Sequence, residues 1–209
     1  MYSTTTSLSV DGVHVWRGDR HVLRGVSFKV SPGQLLHIVG SNGAGKTTLL
    51  RVACGLIAPE EGHVFWQGIN IRVDRAAYQS QIAFAAHEAA LKADLTALEN
   101  LRFAIGLRRT VSGNELMASL TRTGADAYAD LPARVLSAGQ RRRVAMARVL
   151  ACEAPLWLLD EPFSNLDDAG VRLISDLVAA HVRGGGSAVV VAHHGLDLGC
   201  GATALELAA

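Results

Sequence analysis

Apolar and polar residues alternate with period two in LSVDGVHV (Leu8–Val15) and VSFKV (Val26–Val30). This predicts two antiparallel strands, with RGDRH (Arg17–His21) as the turn between them. HVFWQGINI (His63–Ile71) is a third ribbon of this kind, turning near Gly68. LLHIV (Leu35–Val39), IAFAA (Ile82–Ala86), LWLL (Leu156–Leu159) and AVVVA (Ala188–Ala192) are instead short continuous apolar runs. Runs of that kind mark strands buried on both faces. In TTLLRVACGL (Thr47–Leu56), Leu49, Val52, Ala53 and Leu56 fall at helical spacing. TALENLRFAIGL (Thr96–Leu107), NELMASLTRTG (Asn114–Gly124), SAGQRRRVAMARVLAC (Ser137–Cys152) and DAGVRLISDLVAAHV (Asp168–Val182) read as amphipathic helices. Strands alternating with helices imply a parallel α/β sheet. Residues 88–135 carry helical patterning and no strand candidate, so they predict an inserted helical lobe. Neither repeats nor a long linker divides the chain, which predicts a single domain over 1–209.

Chemistry enters at VGSNGAGKTTLL (Val39–Leu50), which contains the spacing G-x-x-x-x-G-K-[ST] from Gly40 to Thr47. A strand precedes it and a helix follows, the context in which this motif denotes a phosphate-binding loop. The backbone N–H groups of Gly40, Ser41, Asn42, Gly43, Ala44, Gly45, Lys46, Thr47 and Thr48 would gather at a helix start, where partial positive charge favours phosphate. Gly43 and Gly45 are expected to let the backbone close on the anion with no Cβ in the way. Lys46 would reach the outer phosphates, and the Thr47 hydroxyl would bind Mg²⁺. In LWLLDEP, Asp160 and Glu161 follow an apolar strand, at the end where open α/β sheets bind ligands. Alone, such a pair is equally a solvated loop; downstream of a phosphate loop it reads as the second half of a site. Asp160 would hold Mg²⁺ through a water, and Glu161 would polarise the water attacking the terminal phosphate.

LSAGQRRR (Leu136–Arg143) adds a second anion-binding helix start, with Ser137 as N-cap and Gly139 and Gln140 in the first turn. One nucleotide needs only one such start of each kind. The economical solution is a two-fold dimer in which each chain's second start closes over the other chain's nucleotide. Two of the three arginines Arg141–Arg143 are expected to form a solvated basic face.

Composition narrows the partners. The chain has 209 residues, 49% of them hydrophobic, and a net charge of +1, which fits a folded domain and gives no support for a nucleic-acid partner. No apolar run approaches the roughly 18 residues that span a bilayer, and the N-terminus lacks a basic start followed by an apolar stretch. A cytoplasmic chain without direct bilayer insertion is therefore expected, reaching a membrane only through a partner. Cys54, Cys152 and Cys200 are widely spaced and predict buried, reduced thiols. The adjacent pair His193–His194 does not read as a metal site, because neighbouring residues rarely face one ion.

With these motifs together, nearly the whole chain resembles the ATP-binding subunits of ABC transporters. Gly40–Thr47 correspond to Walker A and Leu156–Glu161 to Walker B with its glutamate. Leu136, Ser137, Ala138, Gly139 and Gln140 correspond to the LSGGQ signature, with Ala138 in place of a glycine. Ser164, Asn165, Leu166 and Asp167 correspond to the D-loop, and His193 falls at the switch histidine. Two further positions depart from the superfamily pattern. The Q-loop glutamine position holds His87, followed by Glu88, and the adenine-stacking aromatic registers at Arg17, beside Trp16. Either Trp16 or Arg17 can stack on a base, and Trp16 is equally readable as core packing.

The resemblance implies an α/β P-loop NTPase: a RecA-like parallel core, an N-terminal antiparallel β subdomain and an inserted α-helical subdomain. It also implies ATP and Mg²⁺ as ligands, Glu161 and His193 as catalytic residues, and a homodimer. AAHEAALKADLTALENL, LSAGQRRRVAMARVL and PLWLLDEPFSNLDDAG are most similar to one branch, the haem-exporter ATP-binding subunits of bacterial cytochrome c maturation. In that branch histidine is common at the Q-loop register and arginine at the adenine register. The branch implies integral-membrane permease partners, CcmB-like and CcmC-like, on the cytoplasmic face of the inner membrane. An exporter of a peptide or drug is the competing reading. A soluble ABC protein of translation or DNA maintenance fits less well, because it would carry two ATPase units or a long coiled-coil insertion.

Overall fold

The computed structural model describes residues 7–192 and 201–207. Strands β1 (Leu8–Arg17) and β2 (Arg20–Val30) form a hairpin, and β4 (Glu61–Trp66) and β5 (Ile69–Asn70) form another. They join as one antiparallel sheet in the order β2-β1-β4-β5. The alternation along β1 is explained by burial: Leu8, Val10, Val13 and Val15 point into the core while Asp11 is exposed.

The second sheet is parallel. It holds β3 (Leu35–Gly40), β6 (Ile82–Ala85), β7 (Leu156–Asp160), β8 (Ser187–Val191) and β9 (Ala202–Leu207), in the order β6-β7-β8-β3-β9. The residues of β7 and β8 are buried throughout, which is why both read as unbroken apolar runs. Strand β9 was not legible from patterning. Among the described residues it is an edge strand paired only to β3, most of its residues are exposed, and an edge imposes no apolar run.

Helix α1 (Lys46–Ala53) follows β3, and α2 (Arg75–Ser80) is a short turn capped by Asp74, which accepts from the Ala77 N–H at 2.9 Å. Helices α3 (Ala97–Gly106) and α4 (Gly113–Arg122) start at capping boxes, Thr96 with Glu99 and Ser112 with Glu115. Helix α5 (Ala138–Ala151) departs from the expected amphipathic pattern, being buried on two sides. Met146, Val149 and Leu150 pack under the parallel sheet, while Val144, Ala147 and Ala151 pack against α3 and α4. A helix covered from two directions loses its polar stripe. Helix α6 (Asp168–Arg183) closes the same face of the sheet through Ile174, Val178 and Val182. Cys54 is buried, and burial pushes its thiol up to about 11; burial also raises the thiol of Cys152, and Cys200 lies outside the described residues.

Candidate nucleotide-binding and hydrolytic site

The phosphate loop leaves the carboxyl end of β3 at Gly40 and enters α1 at Lys46. Its curvature comes from left-handed backbone at Gly43 (φ 80°) and Gly45 (φ 96°). Lys46 is buried, and its ammonium donates to the carbonyls of Gly40 at 2.7 Å and Ser41 at 2.9 Å. The loop therefore curls around its own lysine. Glycine at position 45 also serves the packing of β2. A Cβ there would lie 2.9 Å from side-chain carbons of both Val22 and Leu23, so the missing side chain makes room for β2. At Gly43 a Cβ would meet the Arg20 guanidinium at 3.7 Å. That guanidinium donates to the Gly43 carbonyl at 2.9 Å, a strut from the start of β2 to the phosphate loop that no spacing in the sequence signalled.

Asp160 ends β7 and is 1% exposed. Neither of its carboxylate oxygens makes a hydrogen bond of normal geometry among the described residues. Burial raises its pKa above the ordinary carboxylate value, and the nearby Thr47 hydroxyl pulls the other way. An orphaned buried carboxylate beside a hydroxyl is a pair of hard oxygen donors, the donor chemistry that suits Mg²⁺. Glu161 follows with φ 49°, a left-handed conformation uncommon for a side chain of its size. Its N–H donates to the Val191 carbonyl at 2.9 Å, which ties this turn to β8. His87 Nδ1 lies 3.1 Å from Glu161 Oε2, so the Q-loop position meets the glutamate directly.

The signature residues start α5. Ser137 caps it, accepting from the Gln140 N–H at 3.1 Å, while Gln140 Oε1 accepts from the Ser137 N–H at 2.8 Å. Leu136 is buried and Ala138 is exposed. Gly139 sits against the D-loop: a Cβ there would fall 2.5 Å from the Asn165 carbonyl oxygen. In the D-loop, Ser164 Oγ donates to the Glu161 carbonyl at 3.0 Å, Asn165 has φ 62°, Leu166 packs under the sheet, and Asp167 caps α6. Glu88 lines one cleft with His87, Ala138 and Asn165. Among the described residues no hydrogen bond joins Leu136–Gln140 to Gly40–Thr48, so one chain does not close the signature over its own phosphate loop.

Several sequence expectations change here. Of Arg141–Arg143 only Arg142 is buried; Arg141 and Arg143 are partly exposed, and both are bonded back to the chain. Arg141 donates to the Leu136 carbonyl, and Arg143 donates to the Thr123 carbonyl at 3.2 Å and pairs with Asp167 at 3.2 Å. Arg142 is 3% exposed and donates to Ala86 O at 2.9 Å, to His87 O and to Ser164 Oγ at 2.9 Å. A signal existed for Arg142: it shares helical spacing with Met146, Val149 and Leu150, the buried face. Trp16 is half-buried and lies outside the apolar clusters. Its ring stacks on His21 at 4.0 Å and, less closely, on His14 at 5.7 Å. Arg17 is exposed at the hairpin end, opposite Arg20. His193 lies outside the described residues.

The family model for ABC transporters matches residues 23–164. The chain belongs to the ABC transporter family. Within that family it falls among CcmA proteins. It is 45% identical over 192 residues to the cytochrome c biogenesis ATP-binding export protein CcmA of Methylococcus capsulatus, covering 91% of this chain and 93% of the relative. The CcmA of Nitrosococcus oceani is 43% identical over 202 residues, covering 97% and 92%. Among solved structures, the ATP-binding cassette MJ0796 in a dimeric post-hydrolysis state with ADP and Pi superposes with a TM-score of 0.86 at 26% identity. That match covers 96% of this ABC cassette and 94% of the other. The expected fold class holds: a P-loop NTPase core of parallel strands, an antiparallel β subdomain and helices packed beside them.

Proposed function

We propose that this cassette is the ATP-hydrolysing subunit of a haem-export complex serving c-type cytochrome biogenesis. The observation that carries the hydrolytic part is the buried, orphaned carboxylate of Asp160, beside Thr47 and one residue before Glu161. The CcmA relatives support the haem part, since they are named as export proteins of cytochrome c biogenesis.

On this reading the N–H groups of Gly40–Thr48 cradle the ATP phosphates. Lys46 exchanges its two carbonyl partners for the outer phosphate oxygens, stabilising charge that grows there during transfer. Thr47 and Asp160 are the residues that would hold Mg²⁺, which when bound offsets phosphate charge. Glu161 orients and accepts a proton from the attacking water. His193 contributes by resemblance as the switch residue. Ser137 and Gly139 complete the site on a second copy, giving a two-fold dimer. The solved MJ0796 cassette is itself dimeric with ADP and Pi, which supports that arrangement. Among the described residues no helix is long and apolar enough to cross a membrane, so the bilayer is reached through permease subunits, CcmB-like and CcmC-like, at the cytoplasmic face of the inner membrane. The chain acts as one nucleotide-binding domain, 1–209, with 88–135 as its helical lobe.

A strain carrying Glu161→Gln tests the whole reading. It is expected to make haem but to lose mature c-type cytochromes on a haem stain of cell extracts. Normal holocytochrome levels, with hydrolysis abolished in the purified variant, would remove haem export and leave the ATPase.

A further inference from the structure

Glu161 stands on a left-handed backbone position that a glutamate adopts only at a cost of about 1 kcal/mol or more. That strain aims its side chain, and the carboxylate meets the imidazole of His87 at 3.1 Å. The partner's carboxylate selects the tautomer with the proton on Nδ1, so the ring donates to Glu161 Oε2. His87 is 59% exposed in its side chain, and an exposed contact of this kind contributes little to stability by itself. What makes it a built contact is the backbone beneath it. The guanidinium of Arg142, itself 3% exposed, donates to the carbonyls of Ala86 and His87 and to Ser164 Oγ. Ser164 Oγ in turn donates to the Glu161 carbonyl at 3.0 Å. One buried cation thus pins both ends of the His87–Glu161 pair.

Resting on the reading of Glu161 as the group that handles the attacking water, we infer that His87 is a positioning residue for Glu161, held in register by Arg142. His87 fixes the carboxylate rotamer through Nδ1–H, so that the water-facing geometry is set before the nucleotide reacts. The contact the structure gives His87 is to the base. Its loss therefore lowers turnover without weakening ATP binding. Because His87 follows β6 and leads into the 88–135 segment, the same contact ties the aim of Glu161 to the placement of that segment.

The test compares His87→Ala, His87→Asn and Glu161→Gln as purified full chains in steady-state ATP hydrolysis. Asparagine places an amide N–H where Nδ1 stood; alanine does not. His87→Ala is expected to lose about ten- to a hundredfold in kcat with KM for ATP within about twofold of wild type. His87→Asn should recover most of that loss. With ATP, His87→Ala should also keep an ATP-bound dimer longer than wild type on gel filtration. In a Glu161→Gln background, His87→Ala should add nothing further, as expected for two residues acting as a unit. Wild-type kcat in His87→Ala beside an inactive Glu161→Gln would overturn the inference and keep the functional reading. A raised KM with kcat unchanged, or an asparagine variant as slow as the alanine one, also overturns it. Full activity in Glu161→Gln would overturn the reading itself.

Discussion

At Lys46 the charge proposed to neutralise phosphate is already buried and held by the carbonyls of Gly40 and Ser41. Its partners are neutral dipoles, so ATP can displace them at small cost. Lys46→Ala should lower ATP turnover by about a hundredfold or more, because it removes the ammonium around which the loop curls. Malachite-green phosphate release with the purified variant checks it, and wild-type release would unseat this loop as the site. The signature offers a sharper contrast between two neighbours. A methyl group on Gly139 would be driven to 2.5 Å from the backbone oxygen of Asn165, whereas Ala138 already carries one in the open. Gly139→Ala should therefore push the D-loop off the start of α5, with a lowered melting temperature and turnover lost. Ala138→Gly should cost at most about 1 kcal/mol in helix propensity and leave turnover near wild type. Equal damage from both would show that the tight approach of Asn165 is not what glycine provides.

Between elements, the packing of α6 on β7 carries a titratable group that the site does not use. His181 stacks on Trp157 at 4.0 Å and its Nε2 donates to the Ser187 carbonyl at 3.2 Å. Burial pushes its pKa down from 6.5 to about 4, so the folded chain holds the ring neutral. Above pH 6.5 neither state binds the proton and the packing contributes in full. As pH falls from 6.5 towards about 4 the unfolded chain takes up a proton that the folded one refuses, and stability drains away. The whole loss is about 3 kcal/mol, an order-of-magnitude figure. Thermal melts of wild type and His181→Phe at pH 7.5 and 5 should show a fall for wild type that is clearly smaller for the variant. Parallel slopes would mean that carboxylates, not this ring, govern the acid limb. The stack also explains Gly186: a Cβ there would lie 2.2 Å from the imidazole.

At the scale of the molecule, the phosphate loop and the signature sit on one chain without a hydrogen bond between them among the described residues. On the proposed reading a second copy closes the site, with two nucleotides in the seam. Glu161→Gln keeps the shape of the side chain and loses its basic oxygen, so ATP should remain unspent between the copies. The variant is expected to elute as a dimer with ATP and Mg²⁺ and as a monomer without them. A single elution position in both conditions would count against the shared site.

Much of this was written in local pattern. Period-two alternation located β1 and β2, apolar runs located β3, β6, β7 and β8, and the glycine spacing located the loop before α1, because each is set by neighbours in sequence. Ser137 as the cap of α5 was legible for the same reason: capping is a contact across three residues. What patterning missed is what distance in sequence hides. Strand β9 has no burial pattern to display, because an edge strand is half in solvent. Arg20 on the Gly43 carbonyl, Asn165 under Gly139, Arg142 beneath His87 and Ser164, and His87 on Glu161 all join residues far apart along the chain. Spacing cannot announce such pairs. The pairs made by Gly139, Arg142 and His87 exist only once the sheet order β6-β7-β8-β3-β9 puts the ends of β6 and β7 side by side and lays α5 against them, and the Arg20 pair only once the antiparallel sheet is packed on the phosphate loop. The sequence by itself determined the chemistry available at each strand end; which groups meet, and from which direction, was decided by the parallel sheet that aligns those ends.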